Sequence, residues 1–188
     1  RKTSSHNVLG IADAEQSNIW SIFRLGKSAF IQTKEIIKSH SCQVVTIKYI
    51  AFPSLGWVEC TRVFIFSLDF FGVIIADRAE SYESEMNSQI VINPIFNIIE
   101  SDSSILLCDD KQKYQVNSPN STKVIPHEIF KKMGQTEETS KIIFSNSKRS
   151  NMNNSCISYS ISREEDDFSF NINENQIIVS NGLEVDLV

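Results

Sequence analysis

Few residues in this chain have the types and spacing that chemistry requires. The histidines are His6, His40 and His127, far apart in sequence. No G-x-S-x-G, H-E-x-x-H or P-loop motif accompanies them. The cysteines, Cys42, Cys60, Cys108 and Cys156, include no C-x-x-C pair and show no zinc spacing. Dispersed in this way, they are expected as buried thiols of a reducing, intracellular compartment rather than as two disulfides. Carboxylates pair at Asp109-Asp110 and in the run Glu164-Glu165-Asp166-Asp167. Adjacent strand residues point to opposite faces, so neither pair converges by spacing alone. We therefore expect no enzyme, no metal site and no cofactor.

The basic residues are more suggestive. Lys131, Lys132, Lys141, Lys148 and Arg149 gather in one segment, the last two in a Ser/Asn-rich loop. A flexible cationic loop of this kind can track a phosphate backbone. Net charge is −5 but uneven. Residues 1–63 carry 8 basic and 4 acidic groups, and residues 64–110 carry 1 and 9. Residues 111–149 carry 8 and 3, and residues 150–188 carry 1 and 7. A polyanion responds to the local patch rather than to the sum, so the alternation leaves room for a basic face. The competing expectation is a mixed, solvated surface.

The elements that must position these groups read as mainly β with some helix (α+β). Residues 1–13 are expected as a flexible arm and 14–188 as a single β-rich domain. Over Ala14 to Ser39, Ile19, Ile22, Phe23, Phe30, Ile31 and Ile37 fall near helical spacing, which predicts an N-terminal amphipathic helix. From Val44 the period changes to two. VTIKYIAFP reads as a half-buried strand, and Trp57 to Phe71 as a long, covered one. Gln89 to Ile99 reads as a strand with Pro94 inside it, which confines Pro94 to an edge or a bulge. Pro126 and Gly134 bracket a short predicted helix near 127–133, with Phe130 and Phe144 as core residues. Asn181-Gly182 predicts a terminal hairpin. The sum is an antiparallel β-sandwich, jelly-roll-like, with helices packed at one end. The longest apolar run, Val63 to Ala76, is too short for a membrane-spanning helix. The chain begins at Arg1, as expected of a fragment or a processed product.

One order of features goes further. A strand is followed by a second, TRVFIFSLD, ending at Asp69, and 25 residues later comes Pro94 in Ile92-Asn93-Pro94-Ile95-Phe96-Asn97-Ile98. Over Val44 to Asp102 this resembles the thirty-kilodalton-type movement proteins of plant viruses. That family has an aspartate at a strand end, then a strand of the form apolar-x-Pro-x-aromatic-x-apolar. The family's basic residue two positions after the aspartate is missing here, where Asp69 precedes Phe70-Phe71, and Asp77-Arg78 has the charges without the spacing. The resemblance implies a non-enzymatic protein that binds single-stranded nucleic acid without sequence preference, self-associates and acts at plasmodesmata, a host cell junction. Asp69, Pro94 and Phe96 would be its structural motif residues. The alternative is a non-enzymatic structural or protein-interaction β-sandwich, capsid-like or scaffold. A hydrolase assembled from distant residues stands third.

Overall fold

The computed structural model describes residues 3, 6–21, 24–80, 85–101, 104–132, 135–146, 154–166, 168–173, 176–180 and 182–186. Among them the secondary structure is β-strand with a 3-10 turn at Pro53–Leu55 and no α-helix. The strands of the first half are β1 (Leu9–Ile11), β2 (Ile19–Ser21), β3 (Arg24–Leu25), β4 (Phe30–Lys38), β5 (Cys42–Ala51), β6 (Val58–Ser67), β7 (Gly72–Glu80) and β8 (Met86–Val91). The second half supplies β9 (Asn97–Glu100), β10 (Ile105–Cys108), β11 (Lys113–Asn117), β12 (Ser121–Lys132), β13 (Gln135–Ser145), β14 (Asn154–Arg163), β15 (Phe170–Asn173), β16 (Gln176–Val179) and β17 (Glu184–Asp186).

Three antiparallel layers result. The central sheet has eight strands in the order β4-β5-β6-β7-β14-β11-β10-β9. A four-stranded sheet, β1-β8-β13-β12, packs on one of its faces, and the three-stranded sheet β15-β16-β17 on the other. The alternation along β6 and β7 explains this arrangement. Val58, Cys60 and Ala79 point into the core shared with the four-stranded sheet. Val63, Ile65, Ile74 and Ala76 point the other way, into a second core with Phe168, Ile177, Val179 and Val185. Strands that are apolar on both faces must be covered twice, and two smaller sheets do this. Phe144 of β13 stacks on Tyr159 of β14, with ring centroids 4.1 Å apart, and so bridges the first pair of layers.

Neither predicted helix forms among the described residues, where β2, β3 and β4 occupy parts of the first span and β12 the second. In β4 a register shift between Ile31 and Thr33 leaves Gln32 as an extra residue. Ile31 and Ile36 therefore share one face, and Phe30 and Ile37 the other. The bulge breaks the period of two, and the remaining spacing imitates a helix. From His127 to Lys132 the second predicted helix is the continuation of β12, paired with β13 from Ser121↔Ser145 to Lys132↔Gln135, and Met133 lies outside the described residues. Pro126 is accommodated because β12 is an edge strand.

Pro94 does not interrupt a strand either. It follows Asn93 in a turn in which the Phe96 amide donates to the Asn93 carbonyl at 3.0 Å. Proline at the second turn position is favoured. The turn carries the chain from β8, in the four-stranded sheet, to β9, in the eight-stranded sheet. Leu9–Ile11, expected in the arm, is a buried strand on β8. The terminal hairpin pairs β16 with β17, and Gly182 takes the left-handed backbone (φ 85°) that the tight turn requires. Among the described residues no helix is long and apolar enough to cross a membrane.

A Cβ added to Gly72 would lie 2.7 Å from Phe168 Cδ1 and 2.9 Å from Phe70 Cε2. Gly72→Ala should therefore cost about 1–3 kcal/mol of stability through overpacking. Urea denaturation reads this directly, and an unchanged midpoint would show that the central and C-terminal sheets are not so closely apposed.

Candidate functional site

The centre of the sandwich holds an ion pair. Arg62 on β6 lies directly opposite Asp77 on β7, so both side chains leave the same face of the sheet. Arg62 Nε donates to Asp77 Oδ1 at 2.6 Å, and its Nη2 donates to Oδ2 at 2.7 Å. Ser88 Oγ, from β8 in the facing sheet, donates to the same Oδ2 at 2.6 Å. The remaining Arg62 Nη1 donates to the Asn7 carbonyl at 2.7 Å. Asp77 is fully buried, while the Arg62 side chain keeps slight access to water. One carboxylate thus joins β6, β7 and β8, and through Arg62 the segment before β1.

This group governs the titration of its neighbours. Burial, and then the Asp77 charge, push the Cys60 thiol up to about 12. The same two causes push Cys156 up to about 12 and raise the Tyr49 and Tyr159 hydroxyls. All four cysteines are free thiols. The arrangement holds two sheets together and keeps thiols protonated. It presents no activated nucleophile.

A second feature faces solvent. The register gives a row Ile36–Val45–Phe64–Ile75–Tyr159 across five strands. The next row runs Gln43–Phe66–Val73–Ile161–Val116. Tyr159 and Val116 are buried, Ile75 and Ile161 pack partly against the first core, and Ile36 and Phe66 are exposed. Ile36 is 51% exposed, Phe66 40% and Phe71 50%. The rings of Phe64 and Phe66 lie parallel, with centroids 6.0 Å apart. Tyr114 receives Phe71 on one side and Phe96 on the other, edge-on at 5.2 and 5.7 Å. An aromatic, apolar face therefore runs from β6 to the turn before β9. Within it Phe66, Leu68 and Phe71 are exposed, and Phe64, Tyr114 and Phe96 are half-buried.

The residues singled out in the sequence fall around this face. Asp69 sits in the turn between β6 and β7, exposed, with its amide and that of Phe70 donating to Ser67 Oγ at 3.3 and 3.4 Å. The buried carboxylate of this sheet is Asp77, and its partner is Arg62 rather than the adjacent Arg78, which points to the opposite face. Pro94 and Phe96 flank the open face, and the chain Phe71–Tyr114–Phe96 links their turn to that of Asp69.

Of the basic residues expected to meet a polyanion, the structure places one side chain, that of Lys141. Lys141 is buried on β13, where Nζ donates to Gln89 Oε1 at 3.2 Å and burial lowers its pKa. Lys131 and Lys132 end β12, and their side chains, like that of Phe130, lie outside the described residues, as do Lys148 and Arg149. The acidic pairs share an open cleft of 590 Å³ lined by Asp109, Lys113, Arg163, Glu164 and Glu165. Lys113 and Arg163 approach Glu164 and Glu165 at 3.5 and 3.9 Å, and Asp109 Oδ1 accepts two backbone amides, which lowers its pKa. No cluster of metal-ligating side chains occurs among the described residues.

Arg62, Ser88, Phe66, Phe71 and Tyr114 were not picked out by sequence motifs. The available signal was a lone arginine and a lone aspartate in two apolar strands, equidistant from the turn at Asp69-Phe70.

No family model matches this chain, and no curated protein does. Solved structures do. A heparinase III gene product superposes with a TM-score of 0.67 at 16% identity, covering 100% of this chain and 31% of that one. Another heparinase III structure gives 0.64 at 12% identity, covering 98% and 29%. The likeness shows the fold. The chain spans about a third of the length of the structures it matches.

Two predictions follow from the buried pair. Asp77→Asn leaves Arg62 buried without its counter-ion and should cost about 3–5 kcal/mol in chemical denaturation. A loss within error of a surface substitution would refute the burial. The thiols set a pH dependence. Between pH 9.0 and about 12 the unfolded chain releases protons that folded Cys60 and Cys156 retain. Their stabilising contribution is complete below pH 9.0 and declines as pH rises toward 12. Denaturation curves at increasing alkaline pH should show the decline, and Cys60→Ala/Cys156→Ala should flatten it.

Proposed function

We propose that this chain is a non-catalytic β-sandwich module of a heparinase III-like protein, and that its open aromatic face packs against an adjoining part of that protein. The observation that carries the reading is the pair of coverages: a superposition that takes in all of this chain and 31% of the neighbour. A fold that occupies a third of a longer chain has a face to give to the rest, and exposed Phe66 and Phe71, with half-buried Phe64, Tyr114 and Phe96 beside them, supply an aromatic one. Burying such a surface stabilises an interface by roughly 25 cal/mol per Å² of apolar area before association costs. The module would serve a protein acting on a heparin-type, acidic polysaccharide.

The movement-protein reading stands as a competing proposal, supported by the order of Asp69, Pro94 and Phe96. The two differ in what they ask of the surface. A module of this kind needs its aromatic face. A single-strand binder needs exposed cations.

In isolation the chain should bind an apolar fluorescent dye or self-associate. Phe66→Asp/Phe71→Asp should abolish both while changing stability by no more than about 1 kcal/mol. Equal dye binding by variant and parent would overturn the assignment of this face. Filter binding to single-stranded RNA at two salt concentrations supplies the other arm. The module reading expects no tight binding, whereas strong binding that weakens steeply with salt would favour the movement-protein reading.

A further inference from the structure

Among the described residues, two bulky side chains on left-handed backbone lie away from the aromatic face, at the other end of the eight-stranded sheet. Phe52 and Trp57 flank the Pro53–Leu55 turn, and both adopt left-handed backbone, at φ 59° and 71°. Large L-residues disfavour this region. For Phe52 the reason is visible: its side chain is fully buried in the main core, and its carbonyl accepts the Leu55 and Trp57 amides at 3.0 and 3.3 Å. Trp57 receives no such burial. Its indole is half-exposed and meets Phe30 edge-on, with centroids 6.0 Å apart. Phe30 is itself 51% exposed, and Lys27 Nζ stands 5.9 Å from the indole centroid. Strain held at a half-exposed ring is the pattern of a binding surface.

The surroundings suit one kind of ligand. Phe30 lies opposite Ile50, and Ile50 opposite Glu59, so these three share the sheet face turned away from the four-stranded sheet. Thr33 and Lys48 form the next rung on that face. The three-stranded sheet covers Val44, Val63 and Ile65 further along and leaves this end open. The Trp57 indole offers an apolar surface to the C–H face of a pyranose, and Phe30 stands edge-on beside it as an apolar wall. The Lys27 ammonium beside the ring supplies the counter-charge for an anion on the same sugar, and exposed Glu59, on the same sheet face as Phe30, offers an acceptor for its hydroxyl groups.

We propose that Trp57, Phe30 and Lys27 form a binding subsite for one residue of an acidic saccharide, a pyranose bearing a carboxylate or a sulfate. The choice of polymer rests on the module reading above, but the site rests on its own geometry.

The test is a calorimetric or NMR titration of the whole chain with a heparin-derived tetrasaccharide, and with neutral cellotetraose as control. Trp57→Gly removes the ring and at the same time relieves the left-handed backbone, so loss of binding cannot be blamed on a broken turn. Lys27→Gln removes the charge alone. The parent should bind the acidic tetrasaccharide in a salt-sensitive manner and more tightly than cellotetraose. Each variant should weaken that binding by about tenfold or more, with an unchanged or higher Tm for Trp57→Gly. Equal binding by all three proteins would overturn the subsite and leave the module reading standing. Absence of binding by the parent at low salt would also overturn it. The module reading fails separately, if Phe66→Asp/Phe71→Asp leaves dye binding unchanged.

Discussion

The Asp77 carboxylate, sealed between two sheets, is the constraint on which the layering depends. Removing it from water is costly, and only a full set of charge-assisted bonds offsets that cost. Arg62 supplies two of them from the neighbouring strand, and Ser88 supplies the third from the opposite sheet. Of the three, the Ser88 bond crosses between the sheets, and it favours the lateral position that sets Ser88 over Asp77. The apolar core around them contributes most of the stabilisation but little of this registration, because apolar contacts are not directional. In that position Tyr159 and Val116 are buried, and Phe66 and Phe71 are exposed.

Much of the fold was legible because alternation survives in the central strands. The half-buried strand from Val44 and the covered strand before Asp69 both appear in the structure, as β5 and β6. The terminal hairpin was readable from Asn181-Gly182, since few other residues accept the backbone of that turn. The helix expected over Ala14 to Ser39 failed for a local reason. A single extra residue at Gln32 shifts the faces of β4, and the pattern of Phe30, Ile31, Ile36 and Ile37 then has no clean period. The helix expected near 127–133 failed because Pro126 and Gly134 are helix punctuation only when no edge strand is available to take the proline.

The site was less legible, because its parts are joined by register rather than by motif. Asp69 and Pro94 stood out by type, and both prove to be turn residues that bring other side chains together. The turn at Asp69-Phe70 sets Arg62 opposite Asp77. The turn at Asn93-Pro94 moves the chain between sheets and delivers Phe96 to Tyr114. Spacing along the chain cannot show that Ser88 meets Asp77 across layers, and it gives no warning that Lys141 is buried. What emerges is a scaffold with two surfaces of different character: an apolar aromatic face around Phe66 and Phe71, and a tryptophan with left-handed backbone beside Phe30 and Lys27.

The central claim is that one end of the eight-stranded sheet is bare in the isolated chain. Hydroxyl-radical footprinting, read residue by residue by mass spectrometry, tests it most directly. Phe66, Leu68 and Phe71 should be oxidised rapidly, while Phe144 and Tyr159, stacked in the core, stay protected until the chain unfolds. Protection of Phe66 and Phe71 to the same degree as Phe144 in the monomeric chain would contradict the account.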